Sequence, residues 1–200
     1  MKKILFIIFF LVVAVMATKA VAEEEKIVIV GGWGGNDKQL EFLKKEIPGS
    51  IIVMNNVATS FVPTGDVSEQ VKILEDKMKD LGIEKATFVA HSYGGLVVRE
   101  FARKHPEAVE KIILIGTPNG GYKNWSFGKG SLIDRDIPIY VVAGNKSSKK
   151  WYLADDNNDG TVDVSSLYSI PISDARMFQL DHVELIHSKE VTSQINAWLE

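Results

Sequence analysis

The chain has 200 residues, 46% of them hydrophobic, with no cysteine and a formal net charge of −3. Length and apolar content suit one globular domain with its own core, and the mild negative charge leaves no electrostatic footprint for nucleic acid. Without cysteine, disulfides, thiolate metal sites and cysteine nucleophiles are excluded.

The first predicted element is a targeting segment. Lys2 and Lys3 precede an almost unbroken apolar run over residues 4–17, and Ala20-Val21-Ala22 fits the small-x-small cleavage rule ahead of Glu23. Residues 1–22 therefore read as a secretory signal peptide. The run is shorter than the roughly 20 residues of a membrane span, which favours cleavage over a retained anchor, and no cysteine follows it to carry a lipid. Residues 23–200 are then the exported domain, periplasmic or extracellular.

Short apolar runs follow at residues 26–30, 50–54, 86–90, 111–115, 137–143 and 176–180. Most are continuous rather than alternating, as in strands buried on both faces of a parallel sheet. The last, with Arg176 and Gln179, reads as an edge. Helical patterns lie between them. Leu40, Leu43 and Ile47 share one face, and Pro48-Gly49 stops that helix. Asp66 and Glu69 form a capping-box pattern; Val71, Leu74, Met78 and Leu81 then line one face, with Gly82 at the stop. A third helix spans Leu96 to His105, ahead of Pro106. A last helix starts near Ser188, with Val191, Ile195 and Trp198 on one face. This alternation predicts an α/β fold, a three-layer α/β/α sandwich with a mostly parallel sheet of about six strands. Residues 117–136 and 145–166 are polar, follow predicted strands, and so are expected to wall a site at the strands' C-terminal ends.

The chemistry centres on Ala90-His91-Ser92-Tyr93-Gly94-Gly95. A serine on a sharp strand-to-helix turn is the nucleophile elbow G-x-S-x-G, with alanine for the first glycine. The helix N-terminus below it offers N–H groups and partial positive charge to an oxyanion. Ser92 needs a base, and the chain has four histidines. His91 adjoins the serine, and its side chain is expected to point elsewhere. His105 sits at a helix C-terminus, where a charged imidazole suits the dipole. His182, just past the final strand, is the favoured base, with His187 the alternative. The acid is sought in Asp155-Asp156-Asn157-Asn158-Asp159-Gly160-Thr161-Val162-Asp163, where Asp159 precedes a glycine that permits a tight turn. Asp155 and Asp163 are alternatives, and Asp134 and Asp136 are weaker ones. Asp155, Asn157, Asp159 and Gly160 also match the first half of a calcium loop, but Ser166 stands where its bidentate glutamate belongs. A polar loop holding the acid is the better reading, so no cofactor is expected. The oxyanion hole is assigned to the backbone N–H groups of Trp33, in Gly31-Gly32-Trp33-Gly34-Gly35, and of Tyr93.

In these motifs the chain resembles small secreted bacterial lipases and esterases of the α/β-hydrolase superfamily. Residues 27–35 resemble a strand with the H-G-x-G-G oxyanion turn, and residues 90–95 the A-H-S-x-G-G elbow. Residues 116–121 resemble the G-T-P-H-x-G turn, 158–162 the N-D-G-x-V segment of the catalytic aspartate, and 180–184 the x-D-H-x-E run of the catalytic histidine. Gly31 and Asn119 depart from the pattern, each replacing a histidine. The shortness of the chain implies a minimal, nearly lid-less member with an open cleft walled by Gly32, Trp33, Tyr93, Tyr122 and Trp125.

The resulting expectation is a secreted serine hydrolase that cleaves carboxylic esters through Ser92, His182 and Asp159. Its partner would be a small-molecule or lipid ester, with transient contact at a lipid interface and a monomeric state. The alternatives are a related acyl transferase, thioesterase or amidase, and a non-catalytic envelope-binding protein on the same fold.

Overall fold

All six apolar runs become strands, because a continuous run of β-branched and aliphatic residues can be buried on both faces of a sheet covered by helices. The structure, a computed structural model, describes residues 25–34, 37–54, 67–120, 136–146 and 157–200. The signal-peptide segment, Asp66, Asp134, Asp155, Tyr122 and Trp125 lie outside these residues.

The strands are β1 (Lys26–Val30), β2 (Ser50–Met54), β3 (Ala86–His91), β4 (Val109–Ile115), β5 (Ile139–Gly144) and β6 (Asp174–Phe178). They form one sheet in the order β2-β1-β3-β4-β5-β6, every neighbouring pair parallel. The helices are α1 (Asp37–Glu46), α2 (Ser68–Asp80), α3 (Tyr93–Lys104) and α4 (Lys189–Leu199).

Strand residues alternate between two cores. Val28, Val30, Phe88, Ala90, Ile112 and Leu114 face α2 and α3, where Val71, Leu74, Met78, Val97 and Phe101 are buried. Ile29, Val89, Ile113, Ile115 and Val142 face α1 and α4, against Leu40, Leu43, Ile47, Val191, Ile195 and Trp198. This is the expected three-layer sandwich, with β6 at an edge.

Two local readings need correction. The edge strand runs Asp174–Phe178, two residues earlier than its apolar run, because the Leu180 N–H turns back to the Phe178 carbonyl and ends the ladder. Leu81 does not share the apolar face of α2. It caps the helix, its N–H bonded to the Lys77 carbonyl, and its side chain is 53% exposed.

Strand register sets up the site. β1 and β3 pair in step from Lys26↔Ala86 to Val30↔Ala90, so they end level and their following turns lie side by side. β2 lies beyond β1 and β4 beyond β3, so the chain leaves the two strands in opposite directions and opens a crevice at their C-terminal ends.

Leu74, in the middle of α2, and Leu81, at its C-cap, should therefore separate in urea denaturation. Leu74→Ala, at a fully buried position, should cost about 2–5 kcal/mol. Leu81→Ala should stay within about 0.5 kcal/mol of the parent. Equal losses would contradict this packing.

Candidate active site

Ser92 is the only non-glycine residue with positive φ among the described residues, at φ 54° and ψ −127°. Its N–H is bonded to the Ile115 carbonyl of β4 at 2.8 Å, and α3 begins at the next residue. The turn thus reverses the chain immediately after a fully buried strand and stands the hydroxyl at the strand end. It also passes so close to the turn after β1 that a side chain at Gly94 would put its Cβ 2.2 Å from the Gly31 oxygen. A Cβ at Gly32 would lie 2.9 Å from that of Ser92. Both glycines are required by this close approach.

Asp159 lies between β5 and β6, in a turn built to aim it. Its backbone N–H bonds the Val162 carbonyl, and Gly160 takes φ 96°. Its Oδ1 accepts the Thr161 and Val162 N–H groups at 2.9 and 2.7 Å. Asn158 and Asp163 pair across the turn as an antiparallel bridge, and Asn158 Oδ1 accepts the Gly160 N–H. The carboxylate is thereby fixed, only 2% exposed, with Oδ2 directed at His182.

His182 arrives from the other side of that turn. Asp181 and Glu184 cap one another: Asp181 Oδ1 accepts the Glu184 N–H at 2.8 Å, and Glu184 Oε2 accepts the Asp181 N–H at 3.0 Å. This reciprocal pair has the pattern of a capping box and leads into the short 3-10 turn Glu184–His187. Lys146, past the end of β5, adds an ion pair to Glu184 at 3.1 Å. The Asp181 N–H, and after it the Lys146 ammonium, hold the Glu184 carboxyl below its usual range.

Three chain segments so converge. His182 Nδ1 lies 2.7 Å from Asp159 Oδ2, and Nε2 lies 2.9 Å from Ser92 Oγ. With the proton on Nδ1, that nitrogen donates to the carboxylate and leaves Nε2 to accept from the serine hydroxyl. The His182 N–H also bonds the Asp159 carbonyl at 2.8 Å. A serine, an imidazole acceptor and an orienting carboxylate in this order can relay a proton from a nucleophile to a leaving group.

The cleft beside them is about 100 Å³ and is lined by Gly32, Trp33, Gly34, Gln39, Leu40, His91, Ser92, His182, Val183 and Ile186. Gly32 and Trp33 are therefore at the site. Tyr93 opens α3 directly after Ser92, but the residue is only 6% exposed and packs in the α2–α3 core. The expectation that its ring walls the cleft is wrong, because the helix direction after the elbow carries it inward. Tyr122 and Trp125 fall outside the described residues. Leu40, Val183 and Ile186 line the cleft without having been expected there; the last two follow His182 within one helical turn of sequence, which was the available signal.

The remaining titratable candidates lie elsewhere. His187 is exposed, edge-on to the Phe42 ring. His105 ends α3 and meets Glu75 at 2.8 Å. Asp136 is exposed and Asp163 belongs to the turn bridge. Of the calcium-loop positions among the described residues, Asp159 has both oxygens engaged as described, and Ser166 Oγ accepts the Gly120 N–H. Among the described residues no group of three acidic, histidine or cysteine side chains is arranged to hold a metal ion.

His91 does not point away. Its ring lies 4.7 Å from that of His182, and its Nε2 is 3.2 Å from the His182 carbonyl oxygen. Burial first, then the neighbouring His182, lowers its pKa to about 3, so it is neutral at ordinary pH. Arg99 was also unread. It is buried in α3 and donates to the Asn119 carbonyl and side-chain oxygens at 3.1 and 3.3 Å, tying the turn after β4 to the elbow helix. Burial lowers its pKa to about 10, still high enough to keep it charged.

A family model described as alpha/beta hydrolase fold matches residues 47–158, more than half of the chain. Epoxide hydrolase 1 of Caenorhabditis elegans is 38% identical over 66 residues, which are 30% of this chain and 16% of that protein. The curated relatives it matches are covered over only 13% to 22% of their own lengths. Among solved structures, the product of the gene lin2722 of Listeria innocua aligns with a TM-score of 0.64 at 19% identity, covering 89% of this chain and 94% of that one. The mature form of lipase BlEst2 of Bacillus licheniformis aligns with a TM-score of 0.60 at 17% identity, covering 88% and 91%.

Neutral, buried His91 has a consequence for stability. The unfolded chain protonates this side chain near pH 6.5, whereas the folded protein resists until about pH 3. Between these values the unfolded state binds more protons, so stability falls as pH drops through the window, by up to about 1.4 kcal/mol per pH unit. His91→Gln lacks this component. Its urea midpoint should decline less steeply than that of the parent between pH 6 and 4; parallel declines would mean that His91 titrates normally in the fold.

Proposed function

Because the chain belongs to the alpha/beta hydrolase fold family, we propose that it is an exported serine hydrolase acting on carboxylic esters, acyl or lipid esters in particular. Ser92 Oγ attacks the acyl carbon while His182 Nε2 takes its proton. Asp159 holds the imidazole in the tautomer this requires and stabilises the imidazolium that forms. The backbone N–H groups of Trp33 and Tyr93 bind the developing oxyanion. His182 then gives the proton to the leaving alcohol. Water, deprotonated by Nε2, attacks the acyl-enzyme, and the carboxylate departs with Ser92 restored. The cycle calls on no cofactor and no calcium ion.

The observation that carries this reading is the unbroken path from Ser92 Oγ through His182 to Asp159, with steps of 2.9 and 2.7 Å. The nucleophile also narrows the chemistry. One partial relative is an epoxide hydrolase, yet serine attack on an epoxide carbon would leave an alkyl ether, which has no carbonyl for water to attack. Serine therefore favours acyl transfer to water. Trp33 and Val183, both exposed, flank the cleft; they favour an apolar acyl group and brief contact with a lipid surface. All three reacting groups come from one chain, which suits a monomer. Export rests on the signal-peptide pattern of residues 1–22.

A fluorophosphonate should label the parent at Ser92 and leave Ser92→Ala unlabelled. Asp159→Asn should lower kcat on a p-nitrophenyl ester by about 10⁴-fold with the fold intact. Labelling that persists in Ser92→Ala, or near-normal turnover by Asp159→Asn, would remove the proposed roles.

A further inference from the structure

We propose that His91 is a positioning residue for His182, its Nε2–H holding the His182 carbonyl oxygen and so setting the distance between base and nucleophile. The proposal rests on the ester-hydrolase reading above and adds a part that the reading does not use.

His182 has a long reach to make. It follows the edge strand β6, three strands away from β3, which ends beside Ser92. Its N–H and its Nδ1 are both held by Asp159, whose own turn lies between β5 and β6. Those two contacts orient the ring, but both come from the side away from the nucleophile. Among the described residues, the His182 backbone is tied to the nucleophile's strand through the 3.2 Å contact of His91 Nε2 with its carbonyl oxygen. His91 is the last residue of β3 and is paired with Ile115 of β4, so it is fixed relative to Ser92 by a buried strand. Holding the base's peptide group from that strand fixes the separation of Nε2 from Oγ directly.

The chemistry of the group suits the task. His91 is only 8% exposed, packs against the His182 ring with 41° between the planes, and touches the same cleft. As a neutral imidazole it donates one hydrogen bond without placing a second positive charge beside the imidazolium that His182 becomes. Reacting groups displaced by about 1 Å lose on the order of a hundredfold in rate, so a single tether at this point affects turnover more than it affects substrate binding.

Two substitutions separate the tether from simple filling of space. His91→Gln keeps a side-chain N–H that can reach the same carbonyl; His91→Phe keeps a buried ring and loses the donor. With a p-nitrophenyl ester, the Gln variant should retain kcat within about threefold of the parent, whereas the Phe variant should lose about tenfold or more, with KM changed by less than about twofold. The melting temperature of the Phe variant should be no lower than that of the Gln variant. Should the larger ring not be accommodated, His91→Leu repeats the donor-free arm. Parental kcat in a folded donor-free variant, or a Gln variant that falls as far as Phe, overturns the tether. A parent that is active and labelled at Ser92 while His91→Phe is unchanged removes this proposal alone. A parent that neither turns over ester nor labels removes the ester-hydrolase reading and the tether with it.

Discussion

A serine backbone held at positive φ is the constraint on which the rest of this molecule depends. For a non-glycine residue such a conformation costs about 1–3 kcal/mol, and it persists because the surroundings over-determine it. β3 is buried along its whole length, the Ser92 N–H continues the pairing with β4, and α3 starts one residue later. The apolar strand thereby offsets strain that places a hydroxyl at the sheet's end. The glycines at 32 and 94 belong to the same constraint, since any Cβ there would collide with the opposing turn.

The other two groups are positioned by small polar devices rather than by the core. Asp159 is locked by accepting its own turn's N–H groups, and His182 is carried on a reciprocal Asp181–Glu184 cap steadied by Lys146. Each device satisfies backbone donors that a tight turn would otherwise leave unpaired. For the proposed reaction, a preorganised arrangement of this kind would reduce the reorganisation required at the chemical step.

Burying charge at such a site is costly unless the charge is bonded. Asp159 meets that requirement with three donors. Arg99 spans from the elbow helix to the turn after β4, where Asn119 receives it with two oxygens. The turn after β4 in turn meets the segment beyond Asp159 through Gly120 and Ser166. The helix that follows Ser92 and the segment beyond Asp159 are thus connected through the turn after β4.

Hydropathy and local turn chemistry by themselves determined the strands, the helices, the layer order and the identities of Ser92, Asp159 and His182 as candidates. These features are legible because continuous apolar runs, a serine between a strand and a helix, and an aspartate before glycine each express a short-range rule. The end of α2 differs at Leu81, where the apolar periodicity extends onto the capping residue just ahead of the stop marked by Gly82. Only the tertiary structure decided where side chains from distant segments turn. Tyr93 follows the helix into the core, His91 meets a residue 91 positions away in the chain, and Arg99 finds its acceptors across a turn. Such contacts are set by the level ends of β1 and β3 and by the route of the chain past the edge strand, and neither is encoded within any single window of sequence.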